Sequence, residues 1–427
     1  MEVNIIGAGL NGCLSAWKIK KKFPNYIVNL IDSSDHVISA FDPIEIGKGF
    51  YNNGFHGIEL PRSKKLSHFF ESCLNINLLE KKNIKKLLID GEVVDYLSPL
   101  NKYPKTIRKY YNKVPTKSLE NFEEFYDYIS DDFKSILKKV SMRYSNEISD
   151  VQHLLIPWFF PTEYEILSND EGDKFRMKVR SHKIETTYKW PEGMLLCKIQ
   201  KPFYDSLKSL GVNMHLNSKV IFEDFGATIS NSDFEGSAEK KLTKNDIVIS
   251  CLSPIGILKL VSLDSFYDLI KSSKVLINSI VKVKSKSNLD DFTEMLCADK
   301  QFYELSRISK PFFNKVRKDE EYLQLEIFEN KDWDKDYISN KIASFFSKNM
   351  EIHGYELQEI VDIRETRKVF YPPKKSLETA SDHIKTWSKK FPFYKTLETF
   401  GPINMSKTWL YSDEALEFIK KIKYKKL

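Results

Sequence analysis

The length, composition and charge of the chain limit what kind of protein it is. Its 427 residues exceed the roughly 250–300 residues at which a single hydrophobic core stops growing, so we expect at least two domains. Hydrophobic residues make up 41% and charged residues 29% of the sequence, a balance typical of a globular protein. Apolar stretches such as 154–160 and 247–253 are much shorter than the ~18 residues of a membrane-spanning helix, so none is expected.

The net charge of +7 is spread along the chain, with one basic run near its end. A nucleic-acid-binding protein would show a basic stripe interleaved with aromatic residues, and only this run approaches one, so no nucleic-acid partner is predicted. A weak contact between this run and an anionic membrane surface stays open. The run comprises Lys420, Lys421, Lys423, Lys425 and Lys426.

The first residues and the cysteines indicate the compartment and the absence of a metal site. The first residues lack the basic start and apolar core of a secretory signal, which predicts a cytoplasmic protein. The five cysteines are far apart and form no Cys-x-x-Cys pair. We therefore expect small buried side chains and no metal.

The first 31 residues have the pattern of a strand, a helix and a second strand. Residues 3–6 predict a buried strand, and residues 10–22 carry apolar side chains near helical spacing. After Pro24 the run 26–31 predicts a second strand. Strand, helix and strand within about 30 residues form a βαβ unit, whose two strands are parallel.

The pattern changes at about residue 61 and again near Trp190. Residues 61–188 alternate charged amphipathic stretches, such as 64–73 and 119–141, with short aromatic loops. This pattern predicts a mostly helical insertion. After Trp190 the expected elements are a helix over 195–210 that stops at Gly211, strands over 213–216 and 246–251, and antiparallel strands of a second sheet over 277–283 and 322–328.

The sequence Gly-Ala-Gly-Leu-Asn-Gly, residues 7–12, lies directly between the first predicted strand and the first predicted helix. Gly7 permits a tight turn, Gly9 leaves room for a pyrophosphate, and Gly12 lets helix and strand pack closely. The phosphates would lie on the helix N-terminus, whose N–H groups and dipole favour an anion. Asp32, twenty residues after Gly12, is placed to accept hydrogen bonds from a ribose. These residues predict a dinucleotide site.

A second pattern decides between dinucleotides. It consists of the turn Trp-Pro-Glu-Gly-Met at 190–194, the helix after it, the segment ending at Val220 and the apolar strand near 246–250. This pattern resembles the glutathione-reductase-fold flavoproteins, which include amine oxidases, protoporphyrinogen oxidase and UDP-galactopyranose mutase. Gly193 falls on the family's Pro-x-Gly-Gly-like turn, and Val220 falls on a valine near the adenine. The resemblance implies FAD as the cofactor.

The fold class that follows is α/β, with a Rossmann-type FAD-binding domain and an inserted substrate domain of mixed helices and antiparallel sheet. The FAD-binding domain is predicted to be discontinuous and to comprise residues 1–60, 190–260 and 395–427. The substrate domain is predicted to comprise residues 61–189 and 261–394.

Two segments are similar to UDP-galactopyranose mutases in particular. In the first, Gly54 and His56 fall on the glycine and histidine of a loop beside the flavin, which implies a catalytic role for His56. In the second, Gly401 falls on a Gly-Arg pair at the flavin, and Trp409 and Asp413 fall on an aromatic-x-aromatic-x-Asp helix start. The resemblance therefore implies that Gly401, Trp409 and Asp413 contact the cofactor.

The chain also departs from the mutases. Pro402 stands where they keep an active-site arginine, and no glycine pair follows Asp32, since residues 35–41 contain no glycine. The missing arginine argues against mutase activity, whereas it leaves FAD binding unaffected.

Three further residues are candidate substrate contacts. Arg364 and Arg367 lie three apart, just before Tyr371 of the family's Tyr-Pro segment. Two guanidinium groups on one side could clamp a phosphate or carboxylate. Surface salt bridging is the commoner use of such a pair.

The sequence thus predicts an FAD-dependent oxidoreductase that transfers a hydride from a small-molecule substrate to the flavin. Two alternatives stay open. One is a mutase-like sugar-nucleotide isomerase that uses reduced flavin and acts on a nucleotide sugar. The other is a non-catalytic flavin-binding protein, because a fold does not by itself imply a function.

Overall fold

The structure is a computed structural model. It describes residues 1–46, 49–52, 57–60, 63–82, 84–89, 91–95, 118–119, 164–168, 175–179, 187–193, 195–223, 226–231, 240–243, 246–261, 264, 266–268, 274–286, 292, 294–297, 302, 305–310, 320–330, 332–371, 374–389, 394–397 and 405–426.

Within these residues the structure contains both helices and strands. The α-helices are α1 (Leu10–Lys22), α2 (Lys64–Cys73), α3 (Gln200–Ser209), α4 (Pro254–Val261), α5 (Lys335–Phe345), α6 (Lys374–Ser388) and α7 (Met405–Lys426). The strands are β1 (Glu2–Ile6), β2 (Ile27–Ile31), β3 (Ile44–Ile46), β4 (Gly49–Tyr51), β5 (Ile58–Leu60), β6 (Leu78–Lys82), β7 (Lys85–Ile89), β8 (Glu92–Asp95), β9 (Ser118–Leu119), β10 (Tyr164–Ser168), β11 (Phe175–Val179), β12 (Thr187–Pro191), β13 (Asn213–His215), β14 (Ser218–Glu223), β15 (Gly226–Asn231), β16 (Lys240–Thr243), β17 (Ile247–Ser250), β18 (Lys274–Ser285), β19 (Glu294–Cys297), β20 (Leu305–Ser309), β21 (Glu320–Glu329), β22 (Tyr355–Tyr371) and β23 (Tyr394–Thr396).

A parallel sheet has the strand order β13-β2-β1-β17-β23. Every residue of β17 and all but the first of β1 are buried. Such burial is typical of parallel strands covered on both faces, and it explains their continuous apolar sequences. The predicted first βαβ unit and the strands near 213–216 and 246–251 are confirmed.

Helices α1 and α7 pack against each other and run parallel. Lys18 of α1 donates a hydrogen bond to Asp413 of α7, with Nζ and Oδ1 2.5 Å apart. Further along both helices, the Nζ of Lys423 lies 5.7 Å from the centre of the Phe23 ring. Because the contacts follow the same order in both helices, their C-termini lie together.

Helix α3 also packs against α1 and is parallel to it. The indole N–H of Trp17 donates to the Ser206 hydroxyl at 3.1 Å. A Cβ added to Gly211 would lie 3.7 Å from Cε of Lys20. Gly211 has a φ of +76°, which favours glycine and ends the helix, as predicted. The C-terminus of α3 therefore lies beside that of α1.

A second, larger sheet has the strand order β22-β18-β21-β20-β19-β7-β8. Its neighbouring strands are antiparallel except β19 and β7. The predicted antiparallel strands over 277–283 and 322–328 are confirmed as parts of β18 and β21. One face of the sheet packs against α5 through a core that includes Val275, Ile277, Val281, Leu323, Leu325, Ile327, Ile342 and Phe345.

The prediction of a mostly helical insertion over residues 61–188 is wrong for the described residues after α2. Helix α2 matches the predicted stretch 64–73, but the described residues from 78 to 95 and from 164 to 191 contain strands. Short apolar pairs such as Leu87-Leu88 extend the larger sheet, because β7 pairs with β19. Charged residues flank these pairs and gave them a helix-like pattern. Of the stretch 119–141, only Leu119 lies within the described residues.

The burial of the cysteines agrees with the sequence-based expectation at three of the five positions. Cys13, Cys251 and Cys297 are buried as predicted, whereas Cys73 is exposed and Cys197 is half-buried. Cys73 is exposed although it follows the buried Phe69 and Phe70 by one turn, because it is the last residue of helix α2. In the part of the chain that the structure describes, no helix is long and apolar enough to cross a membrane.

Candidate functional site

The carboxyl ends of the parallel strands meet at one edge of the sheet. The chain leaves β1 toward β2 on one side, and it later returns on the other side of β1 as β17. The strand order therefore reverses between β1 and β17. In open α/β sheets, ligands bind outside the carboxyl ends of the strands at such a reversal.

Two glycines of the turn after β1 are required, Gly7 by its backbone conformation and Gly12 by packing. Gly7 has a φ of +101°, and its N–H donates to the carbonyl of Ile31 at 2.8 Å. A Cβ on Gly12 would lie 1.8 Å from the carbonyl oxygen of Gly7, which is a severe overlap. Only glycine at position 12 therefore lets α1 start this close to the turn, as the sequence predicted.

The third glycine, Gly9, leaves open space instead. Its φ of −67° is accessible to any residue, and a Cβ placed on it would meet no atom within 4 Å. Gly9 is the N-cap of α1, without a side-chain capping hydrogen bond, and the first turn contains no acidic residue. The first N–H groups of a helix have no partner within the helix, and together with the dipole they favour an anion in this space.

Asp32 lies beside this turn and connects it to β2. Its Oδ2 accepts a hydrogen bond from the Ala8 N–H at 2.6 Å, and its Oδ1 accepts one from the Ser34 N–H at 2.8 Å. A carboxylate can accept about four hydrogen bonds, so Asp32 keeps capacity for ribose hydroxyls. The sequence predicted the location of Asp32 at the strand end and missed its bond to the turn.

A cluster around His36 holds the loop that follows Asp32. His36 bridges two carboxylates, bonding Asp35 through Nδ1 and Asp42 through Nε2, the latter at 2.6 Å. Asp42 also accepts from the side-chain amide of Gln200 at 2.8 Å. Partial burial lowers the pKa of His36, but the hydrogen bonds and charges of Asp42 and Asp35 outweigh it and raise the pKa above its usual value. The sequence contained no motif that predicts this cluster.

The same loop packs against the glycine turn. The N–H of Ile38 donates to the carbonyl of Ala8 at 2.7 Å. Ile38 has a φ of 58°, which is unusual for a β-branched residue and requires support from surrounding contacts. This loop stands where the flavoproteins that the sequence resembles have a glycine pair.

Val220 lies at the same edge of the parallel sheet. It belongs to β14, which forms a three-stranded antiparallel sheet with β15 and β16. Its side chain is buried with Ile6 and Ile31, the last residues of β1 and β2. The structure thus brings Gly7, Gly9, Gly12, Asp32 and Val220 together around the start of α1.

Trp409 and Asp413 contact Lys18 of α1. The Lys18 ammonium group bonds Asp413, donates to the carbonyl of Trp409 at 3.2 Å and lies 3.6 Å from the centre of the Trp409 ring. Burial lowers the pKa of Lys18, although the hydrogen bond and the charge of Asp413 oppose this shift. Lys18 is eight residues beyond Leu10, or about 12 Å along the helix. The cofactor contact of Trp409 and Asp413 stays a prediction.

The face of the larger sheet opposite α5 carries buried polar side chains. Leu323 and Leu325 belong to the core against α5, so Gln324 and Glu326 point to the opposite face. Gln324 is 3% exposed and Glu326 is 8% exposed. Asn278, which is also buried, lies opposite Glu326 in the neighbouring strand. We call Asn278, Gln324 and Glu326 the polar face.

Gln324 of the polar face and Glu294 of the same sheet contact segments that lie next to the parallel sheet. The Gln324 amide contacts the carbonyl of Asn52 at 3.5 Å, and the Asn52 side chain accepts from the N–H of Leu196 at 2.9 Å. The Tyr188 hydroxyl donates to Glu294 at 3.3 Å. The sequence missed these residues, because alternation alone predicts that the polar side of a strand faces water. No local signal shows that another part of the chain covers it.

The remaining predicted site residues are placed in part. His56 and Gly401 lie outside the described residues. Arg364 lies opposite Asn278 in β22 and forms an ion pair with Asp362. Arg367 and Tyr371 also belong to β22, but their side chains lie outside what the structure describes. Their substrate roles stay predictions.

The fold is shared with solved structures along almost the whole chain. A UDP-galactopyranose mutase in its reduced form has a TM-score of 0.69 and 15% identity, over 99% of this chain and 96% of its own. An oxidoreductase from Methanosarcina mazei has a TM-score of 0.58 and 13% identity, over 98% of this chain and 100% of its own. A putrescine oxidase redesigned for cofactor binding has a TM-score of 0.58 and 13% identity, over 98% of this chain and 99% of its own.

No protein-family model matches the chain. No curated protein matches its sequence either. At 13–15% identity, the likeness to the solved structures shows the fold.

Proposed function

We propose that this protein is an FAD-dependent oxidoreductase that oxidises a small molecule by hydride transfer to the flavin. The observation that carries the proposal is the open space in front of Gly9 at the start of α1, with the Asp32 carboxylate next to it. The shared fold with an oxidoreductase and a putrescine oxidase supports the reaction class.

The residues around the start of α1 suit the adenosine diphosphate half of FAD. The N–H groups of the first turn would bind the pyrophosphate, Asp32 would accept the ribose hydroxyls, and Val220 would contact the adenine. The FAD-binding domain would comprise residues 1–60, 190–260 and 395–427, as the sequence predicts. When bound, FAD accepts a hydride from the substrate.

The polar face would contact the substrate. Asn278, Gln324 and Glu326 are buried and lie on three adjacent positions of two paired strands. Buried polar groups select ligands that satisfy their hydrogen bonds, since an unmatched group is costly. Asn52 contacts Gln324 of the polar face and precedes His56 by four residues in the chain. We therefore assign His56 as the residue that orients the substrate, with Arg364, Arg367 and Tyr371 as candidate contacts for an anionic group.

The experiment starts from the purified protein and its released cofactor. Mass spectrometry should identify FAD, and anaerobic mixing with amines, nucleotide sugars and reduced nicotinamides should show which class bleaches the flavin absorbance. FAD together with bleaching by one class supports an oxidoreductase. NAD(P) in place of flavin after careful reconstitution would overturn the proposal.

A variant tests the assigned residue. His56→Ala should leave FAD bound and slow bleaching by about 10²–10⁴-fold, the range of general acid–base assistance. His68→Ala is the matched control, because His68 is exposed on α2. Wild-type bleaching by His56→Ala would remove His56 from the site.

A second candidate is a sugar-nucleotide isomerase. The TM-score of 0.69 to the mutase exceeds the 0.58 to the two oxidoreductases, which favours this alternative, whereas Pro402 argues against it. Conversion of a nucleotide sugar only after reduction by dithionite, with no net oxidation, would support the isomerase. Bound FAD with neither bleaching nor conversion would indicate a non-catalytic flavin-binding protein.

A further inference from the structure

Three parallel helices end together at the side of the parallel sheet that is remote from the glycine turn. Their last turns and the residues next to them carry lysines that are exposed or half-exposed. We call this surface the basic end, and it comprises Lys20, Lys21 and Lys22 of α1, Lys208 of α3, and Lys420, Lys421 and Lys423 of α7. The sequence indicated only the α7 part, because the other lysines are distant along the chain.

The positive charge of the basic end exceeds what its surroundings neutralise. Each helix C-terminus contributes about half a negative charge, and nearby carboxylates neutralise more. Glu417 pairs with Lys420 at 2.5 Å, Glu2 bonds Asn29, and Asp246 precedes β17 beside Glu2. After these contributions, roughly two to three positive charges of the set remain. Within the described part of the chain, Lys21 and Lys421 form no salt bridge.

Apolar side chains lie among these lysines. The rings of Phe23 and Tyr26 stack with centres 4.7 Å apart, and Lys423 lies over Phe23. Ile27 follows at the start of β2 and is 52% exposed. Lysines around exposed apolar groups are typical of surfaces that rest on anionic membranes. The set contains no arginine, the residue that nucleic-acid recognition favours.

We propose that the basic end docks the protein on an anionic lipid surface. Helix α1 has 13 residues and spans about 20 Å, so the glycine turn lies at the opposite end of the helix from the lipid. Docking therefore leaves the candidate cofactor site uncovered. The proposal does not depend on the proposed function.

Vesicle sedimentation of the purified full-length protein tests this proposal. Binding is measured to phosphatidylcholine vesicles and to vesicles that contain phosphatidylserine as well, at low and high salt. We expect binding only to the phosphatidylserine vesicles and its loss at high salt, because the attraction is screened. Each lysine near such a surface contributes about fivefold in binding, so replacing Lys21, Lys22, Lys421 and Lys423 by Gln should reduce it by more than ~100-fold.

Controls separate lipid docking from other interpretations. Lys335→Gln combined with Lys348→Gln removes two exposed lysines of the larger-sheet side and should leave binding unchanged. Ile27→Ser should weaken vesicle binding and leave binding to heparin unchanged. Equal binding to both vesicle types, no vesicle binding, or heparin binding without vesicle binding would each overturn the proposal. Thermal unfolding of each variant shows that it is folded.

Discussion

A substitution at Gly9 should affect cofactor binding and folding stability to different extents. We expect Gly9→Val to remove FAD binding while the protein stays folded. In the structure no atom lies within 4 Å of the added Cβ, and the φ of −67° suits any residue. Loss of a favourable N-cap residue destabilises by up to about 1 kcal/mol, and the smaller entropy of the unfolded chain offsets part of it. The free energy of unfolding should therefore change by about 1 kcal/mol or less.

The effect on FAD should be much larger. The valine side chain would occupy the open space at the start of α1, where the pyrophosphate would accept hydrogen bonds from the first N–H groups. Hydrogen bonds to a charged group contribute about 1.5–3 kcal/mol each, so losing two of them costs about 3–6 kcal/mol. This corresponds to a loss in FAD affinity of roughly 10²–10⁴-fold.

The assay combines FAD titration of the apoprotein with urea unfolding. Gly12→Ala is the contrasting variant, because its Cβ would lie 1.8 Å from the Gly7 carbonyl oxygen. This variant should lose stability and FAD binding together. If Gly9→Val binds FAD as tightly as the wild type, the space in front of Gly9 is not the pyrophosphate site. If it unfolds like Gly12→Ala, the space is required by packing instead.

Three further predictions concern charged groups of the site and its support. Asp32→Ala should lower the free energy of unfolding by about 1–3 kcal/mol and weaken FAD binding by roughly 10- to 150-fold. Urea unfolding and FAD titration measure these two effects. No change in either quantity would contradict the role of the carboxylate. His36 has a raised pKa, so its stabilising contribution is present below about pH 6.5 and is lost as the pH rises through the raised pKa. His36→Gln should abolish this part of the pH dependence of the Tm. An unchanged Tm profile would refute the role of His36. The pKa of Lys18 is lowered from 10.5, so its ionised form costs stability in the folded state. As the pH rises through the lowered pKa toward 10.5, the free energy of unfolding of the wild type should increase relative to that of Lys18→Met. A difference between the two free energies that does not change with pH would count against the burial argument.

The parts of the fold that sequence patterns predict well are local. Residues 2–31 combine a buried strand, an amphipathic helix and glycines at turn positions, and each feature acts within a few residues. Gly12 is likewise explained by a backbone contact close in sequence, and Gly7 by its own positive φ. For this reason the first βαβ unit and the glycine turn within it were predicted with their correct positions.

The parts that were missed depend on contacts between distant segments. Leu87-Leu88 is a strand because β19 pairs with it, and β19 lies about 200 residues later in the chain. Gln324 is buried and contacts Asn52, which lies far from it in the chain. The partner of Asp413 is Lys18, and no pattern within either helix indicates the other. In each case the interaction that determines the structure joins residues that are too far apart in the chain for a local sequence pattern to reveal it.

The bond between Asp32 and Ala8 has a consequence for how the apoprotein behaves. The glycine turn is held by hydrogen bonds to Asp32, Ile31 and Ile38 of the chain itself. A preorganised binding loop loses little conformational entropy when its ligand arrives. We therefore expect the apoprotein to keep this turn in place, with slow hydrogen exchange at the Gly7 and Ala8 amides. The cofactor would then bind to a preformed loop, and the binding kinetics would show a single phase with no preceding folding step.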